Sequence, residues 1–134
     1  MKSQEEKYLE LSEYERKVFD FSCNCGGWAL NIDGCVFPER NSMAEAIDNL
    51  LLLFGDFVRI GETPHKDEYF VLFRKEKDKG HHFIKKYGES YSHKNGCESV
   101  KIENCPNWGN LQFSEEVFLC VKYNHREIKG SYNI

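Results

Sequence analysis

An α+β fold, with N-terminal helices packed on an antiparallel sheet of about five strands, is what this sequence predicts, and three observations predict it. Apolar residues recur at helical spacing up to Gly55. Beyond Gly55 they alternate with a period of two. Turn-forming clusters (Glu62-Thr63-Pro64, Asp78-Lys79-Gly80, Asn95-Gly96 and Pro106-Asn107) cut that second half into short segments. A chain of 134 residues, 40% of them hydrophobic, has material for one core and not for two, so residues 1–134 read as a single domain.

Taken in order, Ser3 to Asp20 interleaves Tyr8, Leu9, Leu11, Tyr14, Val18 and Phe19 with Glu and Lys, which suits amphipathic helical turns. Ser12 and Glu15 have capping-box spacing, so a second short helix starts there. A Cys-Asn-Cys-Gly-Gly cluster breaks the pattern after Phe21, and Trp28, Ala29 and Leu30 open another short helix that ends near Asp33 and Gly34. The clearest helix follows. Ser42 caps it with Glu45 three residues on, Met43, Ala46, Ile47, Leu50, Leu51 and Phe54 form its apolar face, and Gly55 stops it. Five segments then read as strands: Phe57–Ile60, Tyr69–Arg74, His81–Tyr87, Val100–Glu103 and Val117–Tyr123.

Charge and hydropathy exclude several classes. The formal charge is −4 with both signs interspersed, which is the wrong balance for a nucleic-acid partner. No apolar run approaches the roughly 18 residues a membrane span needs. Met1 to Glu10 is charged throughout and lacks the apolar stretch of a secretory signal, so a cytoplasmic protein is expected. Six cysteines can mark a secreted disulfide framework. Cys120 and Cys35, however, sit inside apolar segments where a free thiol serves as a small hydrophobe, and reduced cysteines are expected.

Three residues stand out chemically. Cys25 lies just before a helix start, after Asn24 and before Gly26-Gly27. Unpaired amides there favour a thiolate and can receive an oxyanion, and the glycines would let a substrate approach the main chain. His82 opens an alternating strand, a rigid platform for a general base, while alternation turns His81 to the other face. His93 follows the Gly88-Glu89 turn, and a hairpin between the two histidines brings their imidazoles together on one face. There His93 can fix the tautomer of His82.

The segment Asn24-Cys25-Gly26-Gly27-Trp28-Ala29-Leu30 resembles the nucleophile helix of the papain-like cysteine hydrolases. His82-Phe83-Ile84, then Gly88, then His93, resembles the base-and-third-residue hairpin of the NlpC-like branch, and the short gap from Cys25 to His82 favours that branch. The resemblance covers roughly Ser22 to Gly96 and is shared by small bacterial and phage-type proteins. It implies a papain-like fold and a hydrolase or acyl transferase acting on an amide bond (peptide, isopeptide or peptidoglycan). Its triad would be Cys25, His82 and His93, its substrate a protein or peptide, and it would need no cofactor or metal. Two departures stand: Trp28 comes three residues after the cysteine, where papain has its Trp immediately after, and no upstream oxyanion donor is evident, Asn24 and Tyr14 being the candidates.

Competing uses of the same residues are a zinc site drawn from Cys23, Cys25, Cys97, Cys105, His81, His82 and His93, and a Cys97–Cys105 disulfide. The cysteine spacings do not match paired zinc knuckles. Trp108 is a candidate groove wall. The alternative function is a non-catalytic effector or inhibitor that binds protein on the same scaffold.

Overall fold

A computed structural model describes residues 2–38, 42–76, 80–104 and 113–134. The chain runs α1 (Gln4–Leu9), α2 (Glu13–Ser22), α3 (Cys25–Leu30), β1 (Asp33–Phe37), α4 (Met43–Phe54), β2 (Val58–Ile60), β3 (Glu68–Glu76), β4 (Gly80–Tyr87), β5 (Ser90–Lys94), β6 (Val100–Glu103), β7 (Phe113–Lys122) and β8 (Lys129–Asn133). It is an α+β arrangement. Strands β2 to β7 form one six-stranded sheet in the order β2-β7-β3-β4-β5-β6, and its ladders are antiparallel. A parallel pair, β1 with β8, stands apart from it. No described helix is long and apolar enough to cross a membrane.

Local chemistry explains the helix starts. Ser12 and Glu15 form the reciprocal capping box their spacing predicts, and Ser42 Oγ accepts the Glu45 N–H at 3.2 Å. Asn24 caps α3, which ends earlier than expected because Asn31 turns left-handed at φ 57°. The residues after it, Asp33 and Gly34, therefore belong to a strand. Alternation could not reveal β1, since its second residue is a glycine required for close approach. A Cβ at Gly34 would lie 1.8 Å from Gly130 O, and one at Gly27 would lie 1.9 Å from Gly34 O. Helix α3, β1 and β8 are stacked main chain against main chain.

The principal core lies between the sheet and the helices. Tyr69, Val71 and Phe73 of β3, Phe83 of β4, and Leu119 and Val121 of β7 face Ala29, Leu30, Ala46 and Leu50. A second cluster joins Tyr8, Cys23 and Trp28, with Phe19 edge-on to both rings. Two side chains key α3 to the sheet. The Tyr69 hydroxyl donates to Ala29 O at 2.7 Å, and the Trp28 indole donates to Ser92 Oγ at 3.0 Å. Trp28 is a core residue.

Candidate functional site

Cys25 is the first residue of α3, and its position is fixed by the residue before it. Asn24 Oδ1 accepts from both Gly27 N–H and Val36 N–H at 3.0 Å, while its amide donates to Val36 O at 2.9 Å. Those bonds clasp the helix start to β1. They also commit the Asn24 side chain to the scaffold, so it is not an oxyanion donor. Gly26 and Gly27 are likewise consumed by packing, against Val36 and Phe83 in one case and Gly34 and Cys23 in the other. They do not open the main chain to a substrate. Tyr14, the other candidate donor, is 77% exposed on α2.

The Cys25 sulfur meets the amides of Phe83, Gly26 and Cys25 itself. All three favour the thiolate, yet burial outweighs them and raises the thiol above its ordinary range. A six-residue helix contributes little dipole against that cost. The resting group is a neutral thiol, contrary to the thiolate expected from its place at a helix start. Access to the Phe83 amide comes from a parting of strands. The β4–β5 ladder runs from Tyr87↔Ser90 to Lys85↔Ser92, and β5 then continues to Lys94 in its pairing with β6. The edge of β4 around Phe83 is where the helix start enters.

His82 and His93 lie on one face of the sheet, as the hairpin requires. His82 Nε2 is 3.3 Å from His93 Nδ1, with the rings edge to face. The chain of contacts continues, because His93 Nε2 is 3.2 Å from Glu103 Oε2. A carboxylate only accepts, so His93 carries its proton on Nε2 and presents the Nδ1 lone pair to His82. His82 must then donate from Nε2, and its own Nδ1 keeps a lone pair. Burial first, then His93 and Arg74, pull the His82 pKa down to about 4, which keeps the imidazole neutral near pH 7.

Alternation turns the His82 ring to the face opposite Phe83 and α3, and Arg74 lies across from it on β3. The Cys25 sulfur therefore does not lie over that face. It sits at the strand edge, on the amide that joins His82 to Phe83. The groups that act on the His82 ring are His93 and Arg74. His81 occupies the α3-side face, edge-on to Phe73 at 5.4 Å between centroids, and its buried Nε2 has no hydrogen-bond partner.

Two functional candidates were not found by sequence reasoning. Glu103 required the β5–β6 register, in which Tyr91↔Glu103 and His93↔Lys101 put the carboxylate beside His93 on one face. Lys94 is fully buried, with its ammonium donating to main-chain carbonyls around the start of α3. The described cysteines Cys23, Cys25, Cys35, Cys97 and Cys120 carry free thiols. Cys105, Trp108 and the Pro106-Asn107 turn lie outside the described residues. Among the described residues the His/Cys/Asp/Glu group close enough to hold an ion is His65, Asp67 and Glu68, and it contains none of the predicted zinc ligands. Glu68 there is already held by the Arg59 guanidinium, at 2.8 Å from Nη2.

The fold and these groups define an α+β protein with a thiol at the edge of β4 and, on the opposite face of the sheet, a carboxylate-anchored pair of histidines. The chain matches no protein-family model, no curated protein and no solved structure.

Proposed function

We propose that this protein is a cysteine-dependent hydrolase or acyl transferase acting on an amide bond, on a papain-like scaffold nearest the NlpC-like branch. The observation that supports it is the relay Glu103–His93–His82, which leaves a lone pair on His82 Nδ1, one residue from the Phe83 amide that the Cys25 sulfur meets. In this reading the Cys25 sulfur attacks the carbonyl carbon as His82 Nδ1 takes its proton. The C–N bond then breaks and the amine leaves with that proton. Water or a second amine resolves the thioester, and the Cys25 N–H holds the oxyanion. Proton removal and attack are concerted, since a raised thiol and a weakened imidazole do not form a resting ion pair. A protein or peptide is the proposed substrate, and the cytoplasm the proposed setting.

That same absence of an ion pair favours the second reading, a non-catalytic protein-binding effector on this scaffold. Acylation separates the two. The protein is incubated with p-nitrophenyl acetate, quenched in acid and mapped by mass spectrometry. The enzyme reading expects acetyl transfer to Cys25 in the wild type and in His81→Ala, and its loss in His82→Ala and Cys25→Ala. Acetylation confined to the exposed Cys97, or unchanged in His82→Ala, overturns the enzyme reading and leaves the binding one.

A further inference from the structure

Lys94 is the most deeply buried cation among the described residues, with no exposed surface at all. Its ammonium has three protons and makes three bonds: to Cys23 O at 2.7 Å, to Gly96 O at 2.5 Å and to Asp20 O. Asp20 and Cys23 lie at the C-terminal end of α2, where orphan carbonyls and the negative end of the helix attract a cation. Cys23 is also two residues before the candidate nucleophile. On the other side, Lys94 follows His93 directly in β5, with its side chain on the opposite face. One side chain therefore ties the segment that delivers the thiol to the strand that carries the relay.

We propose that Lys94 is a positioning residue for Cys25, anchoring the α2–α3 junction to β5 and supplying the fixed positive charge beside which the thiolate forms. The inference rests on the reading of Cys25 as the nucleophile. The groups that face this junction are the Asp20 carboxylate, held by the Tyr8 hydroxyl at 2.9 Å, and the thiols of Cys23 and Cys35. Cys23 is pushed up to about 11 by burial despite Lys94, so it stays protonated and adds no competing anion near neutrality. Lys94 works in the same direction on Cys25. A cation on this side of the sheet favours the charged form of the thiol, so its removal raises the Cys25 pKa further.

The test is the pH midpoint of Cys25 alkylation by iodoacetamide, read peptide by peptide in wild type, Lys94→Met and Lys94→Arg. Lys94→Met is expected to raise the midpoint and to slow alkylation below it, with Lys94→Arg recovering part of the loss. A folded Lys94→Met with an unmoved midpoint overturns the proposal. Should Lys94→Met fail to fold, the wild type carries the test. The ¹⁵N resonance of Lys94 Nζ must step at the Cys25 midpoint and lose that step in Cys25→Ser, and a resonance without it refutes the assignment. Because no substrate is involved, a shifted midpoint in a protein that never accepts an acyl group refutes the hydrolase reading alone.

Discussion

Replacing His82 with glutamine removes a pH dependence of stability whose size follows from the structure. In the unfolded chain a histidine titrates near 6.5, whereas burial, His93 and Arg74 bring His82 down to about 4 in the fold. Between those values the unfolded state binds a proton that the folded state refuses. Stability therefore falls as pH drops through that window. The His82 contribution is complete above about 6.5 and gone below about 4. At about 1.36 kcal/mol per unit, this comes to roughly 3 kcal/mol. His81 adds to the same slope, because burial and Lys75 lower it too. Glu68, held at about 2 by Arg59, begins to lose its contribution near 4.5, at the foot of the window, and does so alike in wild type and His82→Gln. Urea unfolding at half-unit steps from pH 7.5 to 4 should show a steeper decline in wild type than in His82→Gln, converging toward acid. Identical slopes, or a His82 ring resonance that titrates near 6.5, would refute the reasoning. The same depressed value predicts an acid limb near 4 for any catalysis in which His82 is the base.

Other perturbations reach the scaffold that places Cys25. Gly27→Ala drives a methyl to within 1.9 Å of Gly34 O, main chain on main chain, and should cost about 3 kcal/mol or more in urea unfolding. Gly96→Ala is the contrast: nothing lies within 4 Å of its Cβ, so only the left-handed φ of 55° is strained, at about 1 kcal/mol. An equal loss in the two would show that α3 and β1 can move apart cheaply. Asn24→Ala removes a helix cap and both bonds to Val36, and should cost about 2 kcal/mol. Iodoacetamide should then reach Cys25 faster, and an unchanged alkylation rate would mean that the clasp does not hold the thiol in place.

Much of this fold was legible because its signals are local. Ser12 with Glu15, and Ser42 with Glu45, announce helices within one turn, and Val100 to Glu103 alternate as a strand must. What stayed hidden depends on partners distant in sequence. Strand β1 begins Asp33-Gly34-Cys35 and pairs only with β8 among the described strands, and β8 begins Lys129-Gly130-Ser131, with no apolar alternation to betray it. The expected five-strand sheet gained Ser90–Lys94, a segment too polar to read as a strand without its neighbours. The site divides in the same way. Cys25 and the two histidines carry their own chemistry and could be nominated from type and spacing. Glu103 needed a register, and Lys94 needed a buried trio of carbonyls. The glycines beside Cys25 looked like room for a ligand, but their space is taken by Val36, Phe83 and Gly34. No local pattern separates a glycine that admits a ligand from one that admits a neighbouring strand.

The position of β7 has a bearing on how the molecule assembles as it is made. The meander from Glu68 to Glu103 consists of neighbours in sequence and can zip up while the ribosome is still at work. Among the described strands, Val58–Ile60 pairs only with Phe113–Lys122, which also forms the far side of β3. Strand β2 therefore has no described ladder partner until the last quarter of the chain has been made and can enter between two strands that precede it.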